Sequence, residues 1–167
     1  MAYATTTNPA LSVVDSAALV PEVAARFSRL SVDDQLALLW FVYTEMGKAI
    51  TPAAPGAARL HLAEGILEQI KAMEPGEQLQ VMRDLAAKRN SATSRAYGAL
   101  SVNTKLAFWY RLAQWMDEGT VIGMPRGYRL SRPAQEILNV LVTKADFSQQ
   151  ISILRKAVID MGIDPLS

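Results

Sequence analysis

The sequence contains no cysteine, which excludes disulfides, thiol nucleophiles and cysteine-ligated zinc or iron–sulfur centres and fits a reducing compartment. One histidine, His61, leaves no second imidazole with which to build a metal site. Charge of one sign is missing too. Seventeen Lys and Arg face 16 Asp and Glu, for a net charge of +1, so no global field argues for a nucleic-acid partner. The longest apolar run, Leu36 to Tyr43, is bounded by Gln35 and Thr44 and falls far short of the ~20 residues of a membrane span. Met1 to Asn8 has neither a basic residue nor an apolar stretch, so no secretory signal is expected and the protein is placed in the cytoplasm. Also absent are a Gly-rich phosphate loop, a GxSxG elbow and an HExxH pair. Period-2 alternation and Asn-Gly or Asp-Gly hairpin turns are equally scarce, which argues against a β-fold.

Half of the residues are hydrophobic and a fifth are charged, enough apolar material for a packed core and too little bias for disorder. A single domain over residues 1–167 is expected, with residues 1–14 as an N-terminal arm. The local signals are helical. Asp15–Leu30, with Pro21 near a turn boundary, predicts a first helix. Ser31 predicts the N-cap of a second, running to about Gly47, with Asp34 an imperfect stand-in for a capping-box Glu. Pro52 and Pro55-Gly56 then force a loop, and helices follow over Ala57–Met73 and from Pro75 to about Lys88. A short helix is placed within Asn90–Ser94, and a long one runs from Ser101 to Glu118, closed by Gly119. After a Gly123–Gly127 loop, Ser131-Arg132-Pro133 and Ser148 start the last two helices, the final one reaching Gly162. The fold class is all-α.

Catalytic chemistry has little to stand on. His61, Glu64 and Glu68 share a helix face and superficially suggest metal ligands, but they read better as a solvated polar face. Asp33-Asp34 and Asp117-Glu118 point to different faces and look like helix-terminus charges. The aromatic residues say more. Leu36, Trp40, Tyr43 and Gly47 fall on one face of their helix, as do Trp109, Leu112 and Met116 on theirs, with Tyr110 beside Trp109. Met46, Met73, Met82 and Met124 add pliable, polarisable side chains near helix ends and loops. Such stripes are ordinarily core. Yet four of these aromatics carry a polar tip that wants a partner, and plates with methionines also suit a long, flat, apolar ligand between helices.

The segment from Gln35 to Lys48, QLALLWFVYTEMGK, resembles the first signature helix of the N-terminal domain of the orange carotenoid proteins. Ala53-Ala54-Pro55-Gly56-Ala57-Ala58 looks like the loop that follows it there, and Lys105 to Leu112, KLAFWYRL, is similar to that family's Phe-Trp-Tyr-Arg-Leu helix. Pro125-Arg126-Gly127-Tyr128 and Ile153 to Gly162 extend the likeness almost to the C-terminus. With no second domain before Ser167, the chain resembles the free-standing helical carotenoid proteins.

The resemblance implies two interleaved four-helix bundles with a ketocarotenoid such as canthaxanthin or echinenone running between them. By position, Leu36, Trp40, Tyr43, Met46, Met82, Trp109, Tyr110, Met116, Met124 and Tyr128 would line the tunnel, with Trp40, Tyr43 and Trp109 around one ring of the pigment. Gly56, Met73 and Pro125 would lie near the polyene or its entrance. The implied role is photoprotection, chiefly by quenching singlet oxygen, with phycobilisome quenching second and a homologue of the family's C-terminal domain as pigment donor. Ile50, Asn103 and Arg155 resemble parts of an antenna-docking surface, and Lys156 departs from the family's asparagine. Docking would place the protein at phycobilisomes on the thylakoid surface; Arg155 and Lys156 read equally well as a solvated basic face. The alternative from another class is a pigment-free helical interaction module.

Overall fold

The structure is a computed structural model that describes residues 9–47 and 59–166, with side chains from Ala17 onward. Among the described residues there are eight α-helices and no strand. They are α1 Pro9–Ser28, α2 Val32–Met46, α3 Glu64–Ala72 and α4 Pro75–Ala86, followed by α5 Ala92–Gly98, α6 Val102–Glu118, α7 Arg132–Thr143 and α8 Phe147–Ile159.

Local chemistry sets most of the boundaries. Ser31, Ser91, Ser101 and Ser131 each accept a hydrogen bond from a backbone N–H three residues on and so start α2, α5, α6 and α7. Glu74 with Glu77, and Asp146 with Gln149, form reciprocal capping boxes ahead of α4 and α8. Gly119, at φ +81°, closes α6 in the left-handed conformation that side chains resist.

Four expectations are corrected. Helix α1 begins at Pro9, six residues ahead of the Asp15 expected, and proline is tolerated there because the first-turn N–H it lacks would have no helical partner. The helix placed over Ala57–Met73 is a 3₁₀ turn, Leu60–Ala63, entered through Arg59 at φ +50° and followed by α3; residues 57 and 58 lie outside the described residues. The short helix sits at Ala92–Gly98, one cap later than expected. Helix α8 starts at Phe147, because Asp146 caps it, and ends at Ile159. The chain beyond it does not continue as helix but docks. Gly162 N–H donates to the Leu85 carbonyl at 2.8 Å and Ile163 N–H to the Ser94 carbonyl at 3.0 Å.

The helices sort into two sets. Helix α1 packs on α7 and α8, and α2 packs on α7, which groups α1, α2, α7 and α8. The intervening helices α3, α4 and α5 pack on one another, and α6 receives the 3₁₀ turn. Contacts of α2 with α4 and α6, and of α6 with α8, stitch the sets together. The second set is thus inserted in sequence between the halves of the first, giving two interleaved bundles. Leu38, Phe108, Leu112, Ile137, Leu141 and Ile153 fill the interior and are almost completely buried. Leu36, Trp40 and Tyr43 of α2 are only half-buried. That difference marks where the two sets part.

Candidate functional site

Two apolar cavities lie end to end between the helix sets. One, of about 60 Å³, is bounded by α2, α6 and Leu154 of α8; Tyr43, Met46, Gly47, Leu106, Trp109 and Tyr110 form most of its wall. The other, of about 110 Å³, lies among α2, α4, α6 and the loop before α7, and is lined by Leu36, Trp40, Met82, Trp109, Met116, Met124, Pro125 and Tyr128 among others. Leu39, Trp109 and Ala113 border both, so the cavities adjoin as two stretches of one cleft and share that part of its wall. Along α2 the cleft runs from Asp33 to Met46, about 20 Å at 1.5 Å per residue. Helices α2 and α6 face it in opposite directions. Each presents its lining at the three- and four-residue spacing that keeps side chains on one face.

The ring walls are held from outside the cleft. Trp109 donates its indole N–H to the Tyr97 hydroxyl at 2.9 Å, and Tyr97 donates to the Val158 carbonyl at 2.7 Å. Phe108 stands edge-on to both rings, with centroids 5.4 Å from Trp109 and 5.2 Å from Tyr97. Tyr43 meets Tyr110 edge-to-face at 5.4 Å and Trp40 at 5.9 Å, which links the two stretches along one wall. The Tyr110 hydroxyl donates to the Gly47 carbonyl at 3.3 Å. A side chain at Gly47 would collide with the Tyr43 carbonyl and ring, so glycine is what lets the wall close there.

Among the described lining residues, charged side chains occur in the larger stretch, at Asp33 and Arg83. Tyr128 donates its hydroxyl to Asp34 at 2.9 Å, and Ser131 N–H approaches the other oxygen of that buried carboxylate at 3.3 Å. Burial, followed by the Asp34 hydrogen bond and the charges of Asp34 and Asp33, pushes the Tyr128 hydroxyl up to about 12. Arg83 grips Asp33 with two hydrogen bonds, at 2.9 and 3.1 Å, which raises the guanidinium pKa further. Burial, ahead of the charges of Tyr110, Asp117 and Glu118, raises the Tyr43 hydroxyl. The arrangement is that of a slot, with apolar faces inward and the polar tips of Trp109, Tyr110 and Tyr128 tied to protein groups.

Of the residues anticipated from sequence, Leu36, Trp40, Tyr43, Met46, Met82, Trp109, Tyr110, Met116, Met124, Pro125 and Tyr128 come together on the cleft. Trp40 lines the larger stretch and Tyr43 the smaller, so they do not share one pocket with Trp109 between them. Met73 closes α3 and lines neither stretch. Gly56 and Ile50 lie outside the described residues. Asn103 is exposed in the first turn of α6, and Arg155 and Lys156 are exposed on α8. His61, Glu64 and Glu68 are exposed, and among the described residues no three acidic, histidine or cysteine side chains cluster as metal ligands. Missing from the sequence reading are Leu39, Leu79, Leu106 and Ala113, which follow the helical spacing of the aromatics and were findable by it. Also missing are Arg83 and Tyr97, whose roles depend on partners 50 and 61 residues away.

Comparison with known proteins adds family context. Residues 13–164 match the family model described as the N-terminal part of the orange carotenoid protein. A protein of Nostoc sp. (strain PCC 7120) described as containing an orange carotenoid-binding domain is 61% identical over 141 residues, 84% of this chain and 82% of its own. Two solved structures from Anabaena (Nostoc) sp. PCC 7120 are similar. The Orange Carotenoid Protein binding canthaxanthin aligns at a TM-score of 0.82 and 50% identity, over 90% of this chain and 48% of that one. The chain thus spans about half its length. The Red Carotenoid Protein binding canthaxanthin aligns at 0.75 and 39% identity, over 86% of this chain and 98% of that one.

Proposed function

The chain belongs to the family of the orange carotenoid protein N-terminal domain, and from that premise we propose that it binds a ketocarotenoid such as canthaxanthin, without a covalent bond, for photoprotection. The observation that carries this reading is the pair of adjoining apolar cavities, in whose walls Trp109, Tyr110 and Tyr128 have their polar tips engaged elsewhere. A polyene offers almost nothing to hydrogen-bond, so a wall competing for such bonds would be wasted on it. Trp109, Tyr110 and Tyr128 direct theirs to Tyr97, Gly47 and Asp34, leaving ring faces and the thioethers of Met46, Met82, Met116 and Met124 for the slot. The relatives' canthaxanthin is an elongated apolar molecule of this class. Burial of a long apolar rod at about 25 cal/mol per Å² suffices for tight binding after ordering costs are met.

When bound, the pigment would take up energy from singlet oxygen or an excited antenna and release it as heat. The residues of the chain do the holding. Leu36, Trp40, Met82, Met116, Met124, Pro125 and Tyr128 would grip one part, and Tyr43, Met46, Trp109 and Tyr110 the other. The family is one of carotenoid-binding proteins, not a known enzyme family, and in this reading no side chain acts as a catalyst. Among the described residues no helix is long and apolar enough to cross a membrane. We further propose a cytoplasmic setting, with singlet-oxygen quenching as the chief role. Phycobilisome quenching through the exposed Arg155 and Lys156 is a second role, and a homologue of the family's C-terminal domain is the proposed donor.

The test is a visible absorption spectrum of the protein purified from a canthaxanthin-producing host, beside a pigment-free control. A carotenoid band that co-purifies in stoichiometric amount is expected. A colourless, folded protein would overturn the reading and favour the pigment-free interaction module.

A further inference from the structure

Trp109 is almost fully buried and borders both stretches of the cleft, so the tilt of its indole shapes the wall they share. Within α6, Phe108 meets the indole edge-on at 5.4 Å, but no hydrogen bond from α6 fixes its direction. The constraint comes from α5 and α8. Tyr97, wholly buried at the end of α5, has one hydroxyl proton, and it goes to the Val158 carbonyl at 2.7 Å. The oxygen is therefore left as acceptor for the Trp109 N–H at 2.9 Å, and the direction of both bonds is determined. Tyr97 is itself clamped. Phe108 lies edge-on to its ring at 5.2 Å, and the Lys105 ammonium sits 5.4 Å over it while donating to the Ile159 carbonyl at 3.0 Å. A side chain at Gly162 would strike the Tyr97 ring, so the turn after α8 is shaped to it as well.

We propose that Tyr97 is a positioning residue for the pigment site: its hydroxyl holds the Trp109 indole in the orientation that walls the cleft, and references that orientation to the end of α8 through Val158. The proposal rests on the carotenoid reading above. Tyr97 lines neither stretch of the cleft, and Trp109 is the lining residue that its hydroxyl bonds.

The test is Tyr97→Phe, made alone and in a Trp109→Phe background, with each protein prepared pigment-free and from a canthaxanthin-producing host. In the pigment-free protein, ultraviolet resonance Raman of the indole N–H, assigned by difference against Trp109→Phe, should move toward a weakly bonded indole. In the loaded protein, Tyr97→Phe should shift the visible band and lower pigment occupancy about 2- to 10-fold, the range a lost neutral hydrogen bond supplies. In the Trp109→Phe background the same change should add nothing to either. Circular dichroism separates these effects from unfolding. An unchanged band in Tyr97→Phe, or an equal shift with and without Trp109, would overturn the proposal. An unchanged indole signature sinks it at the hydrogen bond, whatever the pigment does. A wild-type protein that takes up no pigment refutes the carotenoid reading and this proposal with it, and is distinguishable because the indole signature still responds.

Discussion

Replacing Ala113 with phenylalanine plugs the cleft without removing any of its wall. Ala113 is 6% exposed and, with Leu39 and Trp109, borders both stretches, so a benzyl group there would project where they adjoin. The smaller stretch, about 60 Å³ against about 110 Å³, holds roughly a third of the space. A pigment bound at nanomolar affinity, about −12 kcal/mol, that loses contact in that proportion gives up about 4 kcal/mol, or about three orders of magnitude in affinity. The folded protein should scarcely notice, because the added ring enters existing space. Filling it stabilises by about 0.5–2 kcal/mol, and any overpacking costs about 1–3 kcal/mol in the other direction. The assay is the ratio of visible to 280 nm absorbance after purification from a canthaxanthin-producing host, with thermal unfolding of the pigment-free form alongside. Near-complete loss of colour with a melting temperature within a few degrees of wild type is expected. A fully coloured Ala113→Phe protein would show that the pigment does not pass this point.

Trp109→Ala should destabilise the fold by about 3–5 kcal/mol, as deletion of a large buried ring does, and abolish most pigment binding; Trp40→Ala, half-buried, should cost less stability while still shifting the visible band, and wild-type spectra in both would refute the cleft assignment. Stability should fall as pH rises from about 10 toward 12: an unfolded tyrosine ionises near 10, whereas Tyr128 holds its proton up to about 12 and buried Tyr97 is also raised, so folding binds protons in that window. Lys105, whose ammonium burial lowers, opposes this, and a Tyr128→Phe variant whose urea midpoints fell just as steeply with pH would contradict the assignment. Gly98→Ala should destabilise by about 3 kcal/mol or more, because a Cβ there would drive into the Ile163 carbonyl of the docked C-terminal segment; an unchanged denaturation midpoint would mean that segment is not seated as described. His61→Ala should change neither colour nor stability measurably, since His61 is exposed in the 3₁₀ turn and a drop in either would reopen a role for it.

Much of the fold was legible because helix ends are written in short range. The serines before α2, α6 and α7 and the glycine after α6 act within one turn of themselves, and their signals held to within a residue or two. The misplacements occurred where a distant partner intervenes. Helix α8 stops at Ile159, before the Gly162 expected from sequence, and just beyond it the chain bonds to the Leu85 and Ser94 carbonyls. No local pattern at Met161-Gly162-Ile163 carries that information. The aromatic stripes were visible as stripes, but their meaning was ambiguous, since core and ligand slot share a period. Half-burial of Leu36, Trp40 and Tyr43 beside fully buried Leu38 is a tertiary fact that the period alone does not carry.

Composition and periodicity determined by themselves that this protein is all-helical, that it lacks thiol chemistry, and which faces of α2 and α6 are aromatic, because each of these depends only on residue type and near neighbours. The tertiary structure alone decided that the two faces meet in opposite directions across one cleft. It also decided that Arg83 pairs with Asp33 and Tyr128 with Asp34 at the cleft's end, and that Tyr97 pins Trp109 from behind. Those contacts join residues 12 to 94 positions apart. None of them is carried by a short-range helical pattern, and the Arg83–Asp33 pair exists only where the two helix sets meet.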